Sequence, residues 1–104
     1  MAIDLRSRSS FPSIKVSSIG AAALTEVQLP SQCNQVTITT YSGTPFYIVT
    51  DGGSDGGAAP TDKQKVTSGN PFQFKVGRGN SRHSSIYLIS DSGSISVEIF
   101  LEEL

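Results

Sequence analysis

The run Ile95-Ser96-Val97-Glu98-Ile99-Phe100-Leu101-Glu102 sets Ile95, Val97, Ile99 and Leu101 against Ser96, Glu98 and Glu102. Strict alternation over this length is the mark of a β-strand with one buried face. Phe100 stands out of phase with that face. Immediately upstream, Asp91-Ser92-Gly93-Ser94 is turn chemistry, and before it lies Ser85-Ile86-Tyr87-Leu88-Ile89-Ser90. Joined by a two-residue hairpin at Ser92-Gly93, the two runs set Leu88 against Val97 and Ile86 against Ile99, all inward. Tyr87 then lies outside, opposite Glu98. A three-residue loop would flip every side chain of the pair and bury Tyr87 and Ile89. The first register is preferred because it leaves the tyrosine hydroxyl in water.

The same period of two recurs through the chain. Ile14 and Val16 flank Lys15, and Val27 and Leu29 flank Gln28. Val36 and Ile38 alternate with Gln35, Thr37 and Thr39, and Phe72, Phe74 and Val76 with Gln73 and Lys75. In Phe46-Tyr47-Ile48-Val49, Phe46 and Ile48 share one phase, Tyr47 and Val49 the other. Ser42-Gly43 and Ser68-Gly69-Asn70-Pro71 punctuate these runs, with Pro71 at a strand start, where its missing N–H is tolerated. No window carries a helical stripe. Roughly seven short strands with spaced turns read as a single all-β antiparallel β-sandwich, jelly-roll or immunoglobulin-like. The expected core is Val36, Ile38, Phe46, Ile48, Phe74, Ile86, Leu88, Val97 and Ile99. Residues 51–60, from Asp51 through four glycines to Pro60, read as a long flexible loop.

Composition agrees. The 104 residues amount to one domain, and Ile, Val, Leu and Phe total 27, enough for one modest core. Ser and Thr total 25 and charged residues only 16%, a balance that favours strands and turns over helices. A net charge of −1 gives no basic field for nucleic acid. The run Ala21-Ala22-Ala23-Leu24 is far short of a bilayer span, so no membrane partner is expected. Cys33 is the single cysteine, which excludes a disulfide within the chain. The first residues hold no stretch resembling a signal peptide, so synthesis and use in the cytoplasm are expected.

Residues 1–13 form an extended N-terminal arm with Arg6, Arg8, four serines and Pro12, and residues 14–104 the sandwich domain. The arm shows no apolar period. Alone it is expected to be disordered and to need a neighbouring subunit to order it.

Candidate chemistry is sparse. Gly52-Gly53-Ser54-Asp55-Gly56 fits the G-x-S-x-G pattern, but that motif needs a strand-to-helix turn, and here the chain continues with Gly57, two alanines and Pro60. A chance match in a Gly-rich loop is the better reading. His83 is the single histidine, in a polar turn with Arg78 and Arg82, and reads as an exposed loop residue. Cys33 reads as a small buried hydrophobe, and no third group is marked out to complete a Cys33–His83 dyad. Asp51, Asp55 and Asp62 could offer oxygens to Ca²⁺, but without the alternate-carboxylate spacing of a calcium loop. No catalytic residue, metal or cofactor is assigned.

A binding surface is the stronger expectation. Tyr47, Tyr87 and Phe100, sharing one outer face, would form an aromatic patch suited to a second subunit or to stacking a sugar. Ile89 and Val49 among them favour the subunit. Arg6 and Arg8 would add polar anchoring.

From about residue 29 onward the chain resembles small β-sandwich virion proteins of tailed bacteriophages, of the capsid decoration or cement kind. The segments that carry the resemblance are Leu29-Pro30 with Gln35–Thr39, Pro45–Val49, Ser85–Ser90 and Ser92–Val97. It implies a non-enzymatic structural protein, assembled in the host cytoplasm into the virion. There a homo-oligomer would bind the major capsid protein or other virion proteins and stabilise the head lattice. The same style occurs in tail and fibre subunits. A carbohydrate-binding β-sandwich module is the alternative from another class.

Overall fold

The alternating runs form nine strands in a computed structural model that describes residues 2–67, 69–77 and 83–103. In chain order they are β1 (Ile3–Asp4), β2 (Ser13–Ile19), β3 (Thr25–Gln28), β4 (Gln35–Thr40), β5 (Phe46–Val49), β6 (Gln64–Val66), β7 (Phe72–Lys75), β8 (Ser85–Ser90) and β9 (Ile95–Glu102). No helix occurs among the described residues. One sheet has the order β1-β3-β8-β5-β6 and the other β2-β9-β4-β7. The fold is an all-β sandwich.

Its connectivity decides between the two expected classes. β2 pairs with β9, β3 with β8, β4 with β7 and β5 with β6, all antiparallel and all nested about the β5–β6 connection. Folding that long double ribbon over on itself brings β4 beside β9 and β5 beside β8. Eight strands rolled in this way are a jelly roll. An immunoglobulin sandwich pairs its strands differently.

The core lies between the sheets. Phe46, Ile48, Ile86 and Leu88 of the five-stranded sheet meet Val36, Ile38, Val97, Ile99 and Leu101 of the other, each at most 2% exposed. Full burial of such a side chain contributes about 1.5–3 kcal/mol. Phe74, expected in the core, is half-buried and packs against its margin. The buried hydroxyls are satisfied locally. Thr40 Oγ1 donates to the Ser96 carbonyl at 3.1 Å and Ser90 Oγ to the Ser92 carbonyl at 3.1 Å.

Two expectations are corrected here. β8 and β9 are not a hairpin: they belong to different sheets, and Asp91–Ser94 crosses from one to the other. The Ser90 N–H donates to the Gly20 carbonyl and Asp91 N–H to that of Pro45, which holds the end of β8 before Gly93 (φ +63°) redirects the chain. Ile86, Leu88, Val97 and Ile99 still face one another, but across the sandwich and not along a ladder.

The arm also differs from expectation. Ile3 and Leu5 are 8% and 2% exposed and join the main core, with Phe11 packed against it. β1 pairs parallel with β3, and the Leu5 N–H extends the pairing to the Gln28 carbonyl at 2.9 Å. Apolar residues two apart lack a legible period, yet they suffice to dock a short edge strand.

Candidate interaction surfaces

Each sheet has an outer face, and the two are built differently. On the five-stranded sheet, Tyr47 of β5 lies beside Ile89 of β8, and Val49 beside Tyr87. Leu24, Val49 and Ile89 are buried there as a second small core, with Tyr47, Tyr87 and Ala59 packed around them. The cover is the glycine-rich segment 51–60. Gly56 N–H donates to the Leu24 carbonyl at 2.8 Å, and Leu24 N–H to that of Gly57 at 2.9 Å. The Glu26 N–H donates to Asp55 Oδ1 at 3.0 Å. Gly53 lies so close to Tyr87 that a Cβ there would sit 2.6 Å from its Cδ2. This loop, expected to be flexible, is tied to the sheet.

The tyrosines are therefore engaged within the chain. The Tyr47 hydroxyl donates to Asp91 Oδ1 at 3.0 Å, and the Lys63 ammonium stands 5.3 Å from the centre of its ring. That bond to a carboxylate, with some desolvation, raises the Tyr47 pKa above the ordinary phenol value. Tyr87 borders a polar cleft of about 410 Å³ with Glu26, Asp51, His83 and Ser85. Within it Ser85 Oγ donates to Glu26 Oε2 at 2.8 Å.

Phe100 lies elsewhere. It is on β9, half-buried on the outer face of the four-stranded sheet, so the expected patch of Tyr47, Tyr87 and Phe100 does not form. The parity of β9 is the reason: its inward set is Ile95, Val97, Ile99 and Leu101, and its outward set belongs to the other sheet's surface. Around Phe100 the register places Ile14 on one side and Thr37 on the other. The next outward row is Val16, Glu98 and Thr39. Ile14 and Val16 are 53% and 55% exposed. Tyr41, 72% exposed, donates its hydroxyl to Glu98 Oε2, a bond that raises its pKa.

The alternation around Lys15 was misleading as to side. β2 turns Ser13, Lys15, Ser17 and Ile19 inward and Ile14, Val16 and Ser18 outward. Ile19 is 2% exposed, and a strand cannot bury Ile19 together with Ile14 and Val16, because their parities differ. That conflict was the available signal for an exposed apolar row.

The arm arginines serve their own domain. Arg6 Nε and Nη2 donate to the two carboxylate oxygens of Asp4 at 3.0 and 2.9 Å, and its backbone N–H adds a third bond at 3.0 Å. The side-chain bonds, then the backbone bond, hold the Asp4 pKa down to about 2 against a small desolvation effect. Arg8 Nη1 donates to Ser13 Oγ at 2.5 Å and to the Ile14 carbonyl at 3.1 Å.

The residues weighed for chemistry are scattered. Ser54 is exposed in a turn where its carbonyl accepts from the Gly57 N–H at 2.9 Å, with no helix after it. Cys33 is buried, its thiol 3.4 Å from the Gln35 carbonyl. His83 is half-buried at the cleft, while Arg78 and Arg82 lie outside the described residues. Among the described residues no three His, Cys, Asp or Glu side chains converge to hold a metal.

No family model and no curated protein matches the chain. Among solved structures, a chain from Bacillus endospore appendages, described as a novel family of disulfide-linked pili, aligns with 91% of this chain. The alignment covers 93% of the pilus chain at 18% identity, with a TM-score of 0.42. Superposition at that level carries no argument about function.

Proposed function

We propose that this protein is a non-enzymatic subunit of a larger assembly, and that the assembly is a phage virion whose head lattice it decorates. The observation that carries the first part is the bare apolar row Ile14, Val16 and Phe100 on the four-stranded sheet. Aliphatic side chains more than half exposed beside a half-buried aromatic are what a protein partner covers. The second part draws on the resemblance to small phage virion sandwiches. The partner is then the major capsid protein or another virion protein, and repeated attachment to a lattice amplifies weak single contacts.

The test is co-sedimentation of the purified protein with empty capsid shells. Binding should weaken at least tenfold in Phe100→Ser and in Ile14→Ser, and remain in Tyr87→Ala. Ser54→Ala, Cys33→Ala and His83→Ala should leave binding intact. Failure of the unaltered protein to sediment with any shell overturns the decoration role, and a tail or fibre position becomes the virion reading to pursue.

A carbohydrate-binding module is supported by a different observation, the polar cleft where Glu26, Asp51, His83 and Ser85 surround one edge of Tyr87. Carboxylates beside an aromatic ring suit sugar hydroxyls. A glycan array decides it: retention of a sugar, lost in Glu26→Ala, favours this reading over the assembly subunit.

A further inference from the structure

We propose that two copies of this chain pair edge to edge through β2, antiparallel about a two-fold axis at Val16, joining their four-stranded sheets into one of eight strands. The inference rests on the assembly-subunit reading and names a partner for the strand that carries Ile14 and Val16.

The sheet edges differ in how they are guarded. β1 has two residues, β6 three and β7 four, and Lys63, Lys65 and Lys75 stand in or beside the latter two. Short strands and lysines are ordinary protections against edge pairing. β2 also carries a lysine, Lys15, turned inward, but at seven residues it is the longest of the four edges, and among the described residues β9 is its one paired neighbour. Arg8 engages its edge at Ser13 and Ile14 alone, and that carbonyl keeps a second lone pair. Two of the three exposed large hydrophobics among the described residues, Ile14 and Val16, stand on this strand.

Charge and length select the register. A two-fold axis at Lys15 would set two ammonium groups directly opposite, which is destabilising. An axis at Ser17 would carry Ile14 opposite Gly20, beyond the end of β2. An axis at Val16 sets Val16 against Val16, Ile14 against Ser18 and Lys15 against Ser17. Both exposed aliphatics then lie inside the paired segment. Seven residues at about 3.3 Å each span roughly 23 Å, and the thinnest dimension of the molecule is 21 Å. Two such edges together bury on the order of 1,000 Å², at the lower bound for a specific interface, which fits a weak, concentration-dependent dimer.

Sedimentation velocity on the full chain, over a concentration series through the micromolar range, should show a monomer–dimer equilibrium. Val16→Lys should weaken association at least tenfold with an unchanged far-UV circular dichroism spectrum. Under mild oxidation V16C should cross-link to itself, because opposed Cα atoms in an antiparallel pair lie about 4.5–5.5 Å apart, within disulfide range. I14C should cross-link only when mixed with S18C. The native Cys33, 1% exposed, stays out of this chemistry. A monomer at every concentration, a dimer indifferent to Val16→Lys, or I14C cross-linking to itself overturns the proposal. A monomeric chain that still sediments with shells overturns the pairing and leaves the decoration role standing. A dimer that V16C locks but that ignores shells supports the pairing and overturns the decoration role.

Discussion

The outer faces of the two sheets carry similar aliphatic and aromatic residues and treat them in opposite ways. On the five-stranded sheet, Val49, Ile89, Tyr47 and Tyr87 are roofed by segment 51–60. On the four-stranded sheet, Ile14, Val16 and Phe100 have no such roof among the described residues. The difference lies in the connections. The one between β5 and β6 is long and glycine-rich, and it can lie flat on a tyrosine ring where any Cβ would collide. A face is thus closed by the loop that happens to pass it, and the face left bare is the one to examine for partners.

Substitutions can break this comparison. Ile89→Ala removes a side chain from beneath the roof and should cost about 2–4 kcal/mol, read by urea denaturation. Gly53→Ala forces a methyl against Tyr87 and should cost about 1–3 kcal/mol. Hydrogen exchange would sharpen that result, with the Leu24 and Gly56 amides exchanging faster as the roof lifts. A Gly53→Ala protein with wild-type stability and exchange would mean the loop is not seated on the ring. Ile14→Ala, on the bare face, should change stability by no more than about 0.5 kcal/mol in dilute monomer, since the side chain is already in water. A loss like that of Ile89→Ala would show the face to be covered.

The smallest effect belongs to the arm. Asp4 is depressed to about 2 by Arg6, below its ordinary 3.8. Its contribution to stability is therefore complete above about 3.8 and lost as the pH falls through 2. The carboxyl is fully exposed, so the effect on folding is slight. Carboxyl NMR titration should find the midpoint near 2 in the intact protein, and raised only part of the way toward the ordinary value in Arg6→Ala, which keeps the backbone N–H bond to Asp4.

Much of this architecture was legible in the period of two. Val36, Ile38, Val97 and Ile99 are inward and alternate with polar residues, and Ile86 and Leu88 share the inward phase of β8 with Tyr87 in the outward one. What alternation lacks is the identity of the neighbouring strand. Ser92-Gly93 has the chemistry of a hairpin and instead links two sheets, since a turn reports its own backbone and not which strands pair beyond it. Alternation is equally silent on loops that bury a side chain or two. Ile3, Leu5, Leu24 and Ala59 therefore escaped it, and with them the burial of the tyrosines. The bare row was half legible, through the parity conflict between Ile19 and the pair Ile14 and Val16.

The nested pairing sets the order in which the chain can fold. Phe46 meets Val66 within the innermost ribbon, whereas Ser13 waits for Leu101. Closing so large a loop is entropically costly, and chains dominated by such distant pairings fold in milliseconds to seconds. On a ribosome β2 has no strand to join until β9 has emerged. Throughout that interval its aliphatic row is free to meet other nascent chains, so the residues suited to a partner after folding are also the ones at risk of aggregation before it.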